Sequence, residues 1–192
     1  CCPDTSFLQS AGIASTAAVR EMAAMAATEY ILIYIKPFPL QVGQFALQRM
    51  IRVCEDTEAG MVYSDYFENK NGQLIPHPVI DYQEGSLRDD FNFGSVMLLK
   101  TSAFREACRE MDEDFRFAGL YDLRLKISER HPIVRIPEML YTEMEPDTRL
   151  SGEKQFDYVD PRNREVQIEM EKACTTHLKR INGWLKPEFS DI

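Results

Sequence analysis

Residues 30–35, YILIYI, are six apolar or aromatic side chains in a row, a pattern typical of a strand buried on both faces of a sheet. Lys36 and Pro37 follow this run directly. Ligands of open α/β sheets bind outside the carboxyl ends of the strands, so the lysine has two interpretations. Lys36 is either part of such a ligand site, or it is an exposed strand-end residue beside a proline that ends strand pairing.

The rest of the chain alternates helical and strand patterns, which favours an α/β protein. Apolar periodicity predicts helices over 15–27, 41–57, 102–111, 120–130 and 161–182. Strands are predicted over 30–35, 61–67, 93–100, 133–136 and 139–144. Asn71-Gly72 predicts a hairpin turn after the second strand. We therefore expect one domain over 1–192, a mixed sheet flanked by helices, with 145–192 as a C-terminal extension carrying the helix 161–182.

Composition and charge exclude several classes of partner. The formal net charge is −9 over 192 residues, which argues against binding to a nucleic-acid backbone. The longest apolar run has six residues, whereas a membrane-spanning helix needs roughly 20, so no transmembrane segment is predicted. A phosphorylated small molecule is still compatible with this charge, because one local cation or a helix N-terminus can hold a phosphate.

The cysteines and histidines show neither a disulfide framework nor a metal motif. The five cysteines are an odd number without CxxC spacing, at positions 1, 2, 54, 108 and 174. Thiols on the apolar faces of predicted helices indicate reduced, buried cysteines and a cytoplasmic location. The histidines, at 77, 131 and 177, form no HxH or HExxH pattern, so no metal site is predicted.

Three stretches of the chain resemble family 2 glycosyltransferases of the GT-A fold. The stretches are STAAVREMAAMAATEYILIYI, GMVYSDYFENKNGQL and DEDFRFAGLYDLRLKIS, in the family's order, and the match covers roughly 13–142. The resemblance implies a GT-A-like sheet and transfer of a sugar from a nucleotide-diphospho-sugar to a glycan acceptor. Synthesis of bacterial surface polysaccharide is the pathway we expect for such an enzyme.

The same resemblance implies a donor site at the end of the strand 30–35. The family has Asp-x-Asp there, whose carboxylates hold a divalent cation on the donor diphosphate, but this chain has IKPFP. The resemblance places Lys36 and Asp65 beside the diphosphate. Mg²⁺ or Mn²⁺ would be the cofactor if the donor site were intact, because these hard cations prefer oxygen ligands. Without the two carboxylates, we expect no tightly held metal.

The catalytic base is a second departure from the family. The acidic pair expected before YDL is replaced by Gly119-Leu120, and Asp122 is the acid that remains. Asp122 is either the base that deprotonates the acceptor hydroxyl or a charge in the first turn of a helix. As a base, it should lie partly exposed at the floor of a cleft bordered by Asp65 and the loop 81–95.

The loop 79–95 carries the predicted acceptor-binding residues, Tyr82, Arg88, Asp89 and Asp90. Aromatic rings next to carboxylates are suited to carbohydrate, because the rings contact the apolar sugar faces and the carboxylates accept hydroxyl hydrogen bonds. The alternative is a loop held by phenylalanine anchors, with Arg88 paired to a neighbouring carboxylate. In the first case the charged residues line an open cleft.

Two further hypotheses compete with an active transferase. The missing acids favour a non-catalytic GT-A-like module that binds a glycan or a partner chain, and an unrelated α/β domain is the third possibility. The family also starts with a β-α-β unit that builds the nucleotide pocket. Only 14 residues precede the helix at 15–27, too few for such a unit. We expect that upstream residues have been removed; the alternatives are that the pocket comes from elsewhere or that there is none.

Overall fold

A computed structural model describes residues 12–145 and 164–186 and shows a mixed α/β protein. The helices are α1 (Thr16–Met25), α2 (Ala46–Asp56), α3 (Thr101–Arg109), α4 (Gly119–Ser128) and α5 (Arg164–Arg180). The strands are β1 (Tyr30–Tyr34), β2 (Leu40–Val42), β3 (Met61–Lys70), β4 (Gln73–His77), β5 (Val96–Lys100) and β6 (Ile133–Glu145). The predicted mixed sheet with flanking helices and a C-terminal helix is confirmed. The predicted start of that helix, at 161, lies outside the described residues.

The six strands form one sheet in the order β1-β5-β3-β6-β2, with β4 paired to the distal half of β3 as a hairpin. The strands β3 and β6 run parallel, whereas β5 is antiparallel to both β1 and β3. As a result β1, β3 and β6 all point in the same direction. Their carboxyl ends therefore meet at one edge of the sheet, where the segment after β1 begins.

The core lies on both faces of the central strand. The first six residues of β3 are buried, because the strand has partners on both sides and helices cover both faces. The helix α2 packs on one face through Met50 and Cys54. The helices α1, α3 and α4 contact one another over the other face, and α5 packs against α4. No helix among the described residues is both long and apolar enough to cross a membrane.

The bounds of one predicted helix and two predicted strands are wrong. The helix predicted over 41–57 begins at Ala46, because residues 40–42 pair with β6 as the strand β2. The two strands predicted on either side of Pro137 are one strand, β6. The register with β3 shifts where Ser64 faces Ile136 and Asp65 faces Met139, so Pro137 sits in a bulge that needs no ladder donor.

Candidate functional site

Lys36 forms an ion pair inside the protein. Its ammonium contacts Oε2 of Glu143, which lies 107 residues later on β6 and is only 1% exposed. Burial opposes the charge on Lys36, but the hydrogen bond and charge of Glu143 outweigh it, so the pKa of Lys36 is raised. The cation that follows β1 is therefore already neutralised by a carboxylate of β6, a parallel strand further along the sheet.

A second buried carboxylate lies beside this pair. Glu68 faces Glu143 in the parallel register of β3 and β6. Its Oε2 lies 2.6 Å from the ammonium of Lys70 and 3.0 Å from Nε2 of His77. Burial raises the pKa of Glu68, but the hydrogen bond to Lys70 and the charge of His77 outweigh it, so the net shift is downward. The carboxyl ends of the parallel strands thus hold a compact network of opposite charges.

Asp65 is also engaged by a cation of the sheet. The guanidinium of Arg135, on β6, donates to both carboxylate oxygens of Asp65 at 2.8 Å. The N–H of Val79 donates to Oδ1 at 3.0 Å, and Arg135 also contacts Asp81 at 3.2 Å. Burial raises the pKa of Asp65, but these hydrogen bonds outweigh it and the pKa is lowered. Asp65 therefore connects the segment after β4, through Val79, to Arg135 on β6.

Asp122 is buried between helices. It is 2% exposed, and its Oδ1 accepts a hydrogen bond of 2.7 Å from Lys126, one turn further along α4. Burial raises the pKa of Asp122, and Lys126 offsets only part of the shift. The expected position, partly exposed at the floor of a cleft shared with Asp65, is wrong, because Asp122 does not line the cavity next to α4. No acceptor could reach it in this conformation.

A cavity of about 470 Å³ lies between α4 and the sheet face that carries the odd-numbered residues of β1. Ligand pockets span roughly 300–1,000 Å³, so this volume suits a small molecule. The floor is apolar and comes from β1, β3, β5 and α4: Ile33, Ile35, Met61, Met97, Leu99, Leu120, Leu123 and Ile127. The rim carries the polar side chains of Asp89, Asp90, Asn92 and Arg124 beside Phe91 and Phe93.

The rim is held in place by an aromatic cluster and by Arg124. The rings of Phe91 and Phe93 lie 4.5 Å apart, and Tyr82 packs against both. The guanidinium of Arg124 donates to the backbone oxygens of Ser86 (3.0 Å) and Arg88 (2.7 Å) and lies over the ring of Tyr82. These contacts anchor the loop to α4. They agree with the alternative interpretation, a loop held in place by phenylalanine anchors.

The loop also leaves carboxylates open to solvent, as the acceptor-binding interpretation of the loop requires. Asp89 and Asp90 are exposed and line the cavity. Arg88 donates twice to Asp90 at 2.9 Å, in a pair whose side chains are 71% and 58% exposed. Asp89 and Asp90 thus line the cavity with Phe91 beside them, whereas Arg88, predicted to line the same cleft, is not part of this lining and pairs with Asp90 as the alternative expects. Their role in binding an acceptor stays a prediction.

The sequence motifs do not identify the residues that complete these contacts. Glu143 interrupts the apolar pattern of MLYTEM, a signal that could have marked it as a buried partner. Arg135 and Arg124 lie inside apolar segments and carry the same signal. Asn92 has no such signal, since it lies in a loop. Pairing across 70 or more residues becomes visible only when the strands are placed side by side.

The described residues do not fit a divalent cation at the end of β1. The position offers two carboxylates that cationic or polar side chains already contact: Glu143 is neutralised by Lys36, and Glu68 lies against Lys70 and His77. Within 12–145 and 164–186, no group of three or more histidine, cysteine or acidic residues is placed to hold a metal ion. Comparison with known protein families and with curated proteins finds no match to this chain.

Proposed function

We propose that this chain is a GT-A-like module that binds a glycan at the rim of the cavity and does not itself transfer a sugar. The observation that carries the proposal is a contrast in how charged residues are used. Lys36, Asp65 and Asp122, which the resemblance assigns to donor and base, each have a buried or half-buried partner of opposite charge. Asp89, Asp90 and Asn92 are exposed on the rim.

Carbohydrate is the ligand class that the rim favours. Carboxylate and amide oxygens accept hydrogen bonds from sugar hydroxyls, and Phe91 can contact the apolar face of a ring. The apolar floor favours a glycan that carries an apolar aglycone, because burying apolar surface there is favourable. A glycan of bacterial surface polysaccharide, bound in the cytoplasm, is the version of the ligand that follows from the resemblance.

The proposal is tested by measuring binding and turnover on the same protein. The chain is applied to an array of bacterial oligosaccharides and is also incubated with UDP-glucose and GDP-mannose in the presence of Mn²⁺. We expect retention on a subset of glycans and no release of nucleotide. Retention should be lost in the double variant Asp89→Asn/Asp90→Asn.

A matched variant controls for the change in net charge. Asp56→Asn/Asp112→Asn removes the same two charges from exposed positions outside the cavity lining and should keep the binding. Release of nucleotide by the wild-type chain would establish the transferase instead. Absence of both retention and turnover, or equal loss of retention in the two double variants, would overturn the proposal.

A further inference from the structure

The helix α5 packs on a small apolar cluster that is separate from the main core. This second cluster consists of Phe115, Ala118, Tyr121, Leu125 and Ala173. Only Ala173 and His177 are buried among the 17 residues of α5, whereas eight of the ten residues of α4 are buried. An element with so few buried apolar contacts opens at a lower free energy than the core does. We therefore expect α5 to be the helix that detaches most easily from this protein.

Polar contacts hold α5 at two places along its length. The carboxylate of Glu169 accepts hydrogen bonds from the N–H groups of residues 116–118, just before α4, at 3.1, 2.7 and 3.1 Å. The start of a helix leaves N–H groups without backbone partners and favours a negative charge, so this contact is stabilising. Near the other end of α5, Arg180 donates to both carboxylate oxygens of Glu129 at 2.9 to 3.0 Å. The docking of α5 thus depends on a few charged side chains.

The cluster under α5 also includes the loop that forms the rim of the cavity. Leu87 of this loop packs against the cluster, and its backbone oxygen accepts a hydrogen bond of 2.5 Å from the hydroxyl of Tyr121. On the side of α5, Cys174 lies against Tyr121. Met170 of α5 lines the cavity itself. Tyr121 therefore connects α5 to the rim, so the position of the helix affects the position of the loop.

We propose that α5 is a latch that regulates the rim of the cavity. When α5 is docked, it holds Tyr121 and Leu87 in place and supplies Met170 to the cavity wall. When α5 detaches, the loop loses this support and the cavity opens on that side. The inference rests on the proposed function in that it takes a glycan as the ligand of the rim. Docking of α5 and binding of the glycan then favour each other to the same extent, because coupling between two equilibria is reciprocal.

Alkylation of the native thiols measures the docking of α5. Cys174 is half-buried against the second cluster, and Cys108 on α3, half-buried against the main core, is the internal control. The whole chain is treated with iodoacetamide, and each thiol is quantified by peptide mass spectrometry. We expect Glu169→Gln to accelerate alkylation of Cys174 about tenfold, because a charged acceptor of three hydrogen bonds is lost, and to leave Cys108 unchanged. Glu171→Gln, the same change at an exposed position of α5, should leave both rates unchanged.

Hydrogen exchange measures whether the rim follows the helix. The N–H of Ser86, which donates to Gln83 O at 2.9 Å within the loop, should exchange faster in Glu169→Gln, while the amides of β3 keep their protection. An oligosaccharide that the array retains should bind this variant more weakly and should slow alkylation of Cys174 in the wild-type chain. If the array retains no glycan, the proposed function fails, whereas the thiol and amide measurements still decide whether α5 controls the loop.

Three results would overturn the latch. Equal acceleration of Cys174 and Cys108 in Glu169→Gln would mean that α5 opens only together with the core. An effect of Glu169→Gln no larger than that of Glu171→Gln would mean that the contact with residues 116–118 does not hold the helix. Faster alkylation of Cys174 with unchanged exchange at Ser86 would mean that α5 detaches without affecting the rim.

Discussion

The carboxyl ends of the parallel strands and the rim of the cavity carry similar residues but use them differently. At the strand ends, Lys36 pairs with Glu143 and Asp65 pairs with Arg135, and three of these four side chains are more than four-fifths buried. On the rim, Arg88 and Asp90 pair across two residues of an exposed loop. The first pairs join distant strands, and the second leaves its carboxylate in contact with water.

This difference indicates which charges contribute to folding and which are available to a ligand. A buried charge that loses its partner stays desolvated, so removing the partner lowers the free energy of unfolding strongly. An exposed pair contributes at most about 1 kcal/mol. Variants of the buried pairs should therefore change the free energy of unfolding, and variants of the rim should change binding alone. The following predictions test this division.

The largest effect is expected for Asp122→Asn. Lys126, which is 3% exposed, would keep its charge without a carboxylate partner. We expect a loss of about 3 to 5 kcal/mol in the free energy of unfolding, measured by urea denaturation. The double variant Asp122→Leu/Lys126→Leu should lose less than the single one, because it removes both charges. A loss below about 0.5 kcal/mol in Asp122→Asn would contradict a buried pair.

The pair Lys36–Glu143 should show an asymmetry. Lys36→Met leaves Glu143 buried without a cation and should cost about 3 kcal/mol. Glu143→Gln leaves Lys36, which is 32% exposed and can turn towards water, so about 1 kcal/mol is expected. Both values come from the same denaturation measurement. Equal costs, or a neutral Lys36→Met, would mean that Lys36 does not neutralise Glu143 and would reopen its role beside an anionic ligand.

The pair Asp65–Arg135 should appear in the pH dependence of stability. The pKa of Asp65 is lowered in the folded state, so its contribution is present above the ordinary value of 3.8 and is lost as the pH falls through the folded pKa. Arg135→Met should cost roughly 2 kcal/mol at neutral pH and progressively less in acid. Arg49→Met, in an exposed pair with Glu138, is the control and should leave the free energy of unfolding nearly unchanged. A cost that does not change with pH would exclude the pair as its source.

The smallest effect is expected on the rim. Arg88→Ala breaks a pair whose side chains are both more than half exposed, so the free energy of unfolding should change by less than about 0.5 kcal/mol. Thermal denaturation with the wild-type chain as reference measures this. A loss above about 1 kcal/mol would mean that the rim, like the strand ends, is used for folding.

The sequence predicts the order of helices and strands well, because apolar periodicity and turn residues are local signals. The hairpin at Asn71-Gly72 is an example: both residues have positive φ, as that turn requires. The strand β2 was missed, since three residues show no periodicity and their pairing with β6 is a tertiary contact. The same limit applies to the site. The position of Lys36 after β1 is visible in the sequence, but its partner lies 107 residues away.

Asp122 illustrates how burial changes the meaning of a local pattern. A carboxylate in the first turn of a helix is expected at the surface, where the helix dipole favours it. Here α5 and α3 pack against α4, so that the face carrying Asp122 and Lys126 is covered. The packing of α5 could not be predicted from the spacing of acids and bases within α4.

Carboxyl footprinting tests the division between buried and available charges most directly. The folded chain is treated with a carbodiimide and glycine ethyl ester, and the modified residues are quantified by mass spectrometry. We predict rapid modification of Asp89 and Asp90, while Asp65, Asp122 and Glu143 react only after denaturation. Modification of Asp122 or Asp65 in the folded chain at the rate of Asp89 would contradict the account, because those carboxylates would then be open to solvent and to a substrate.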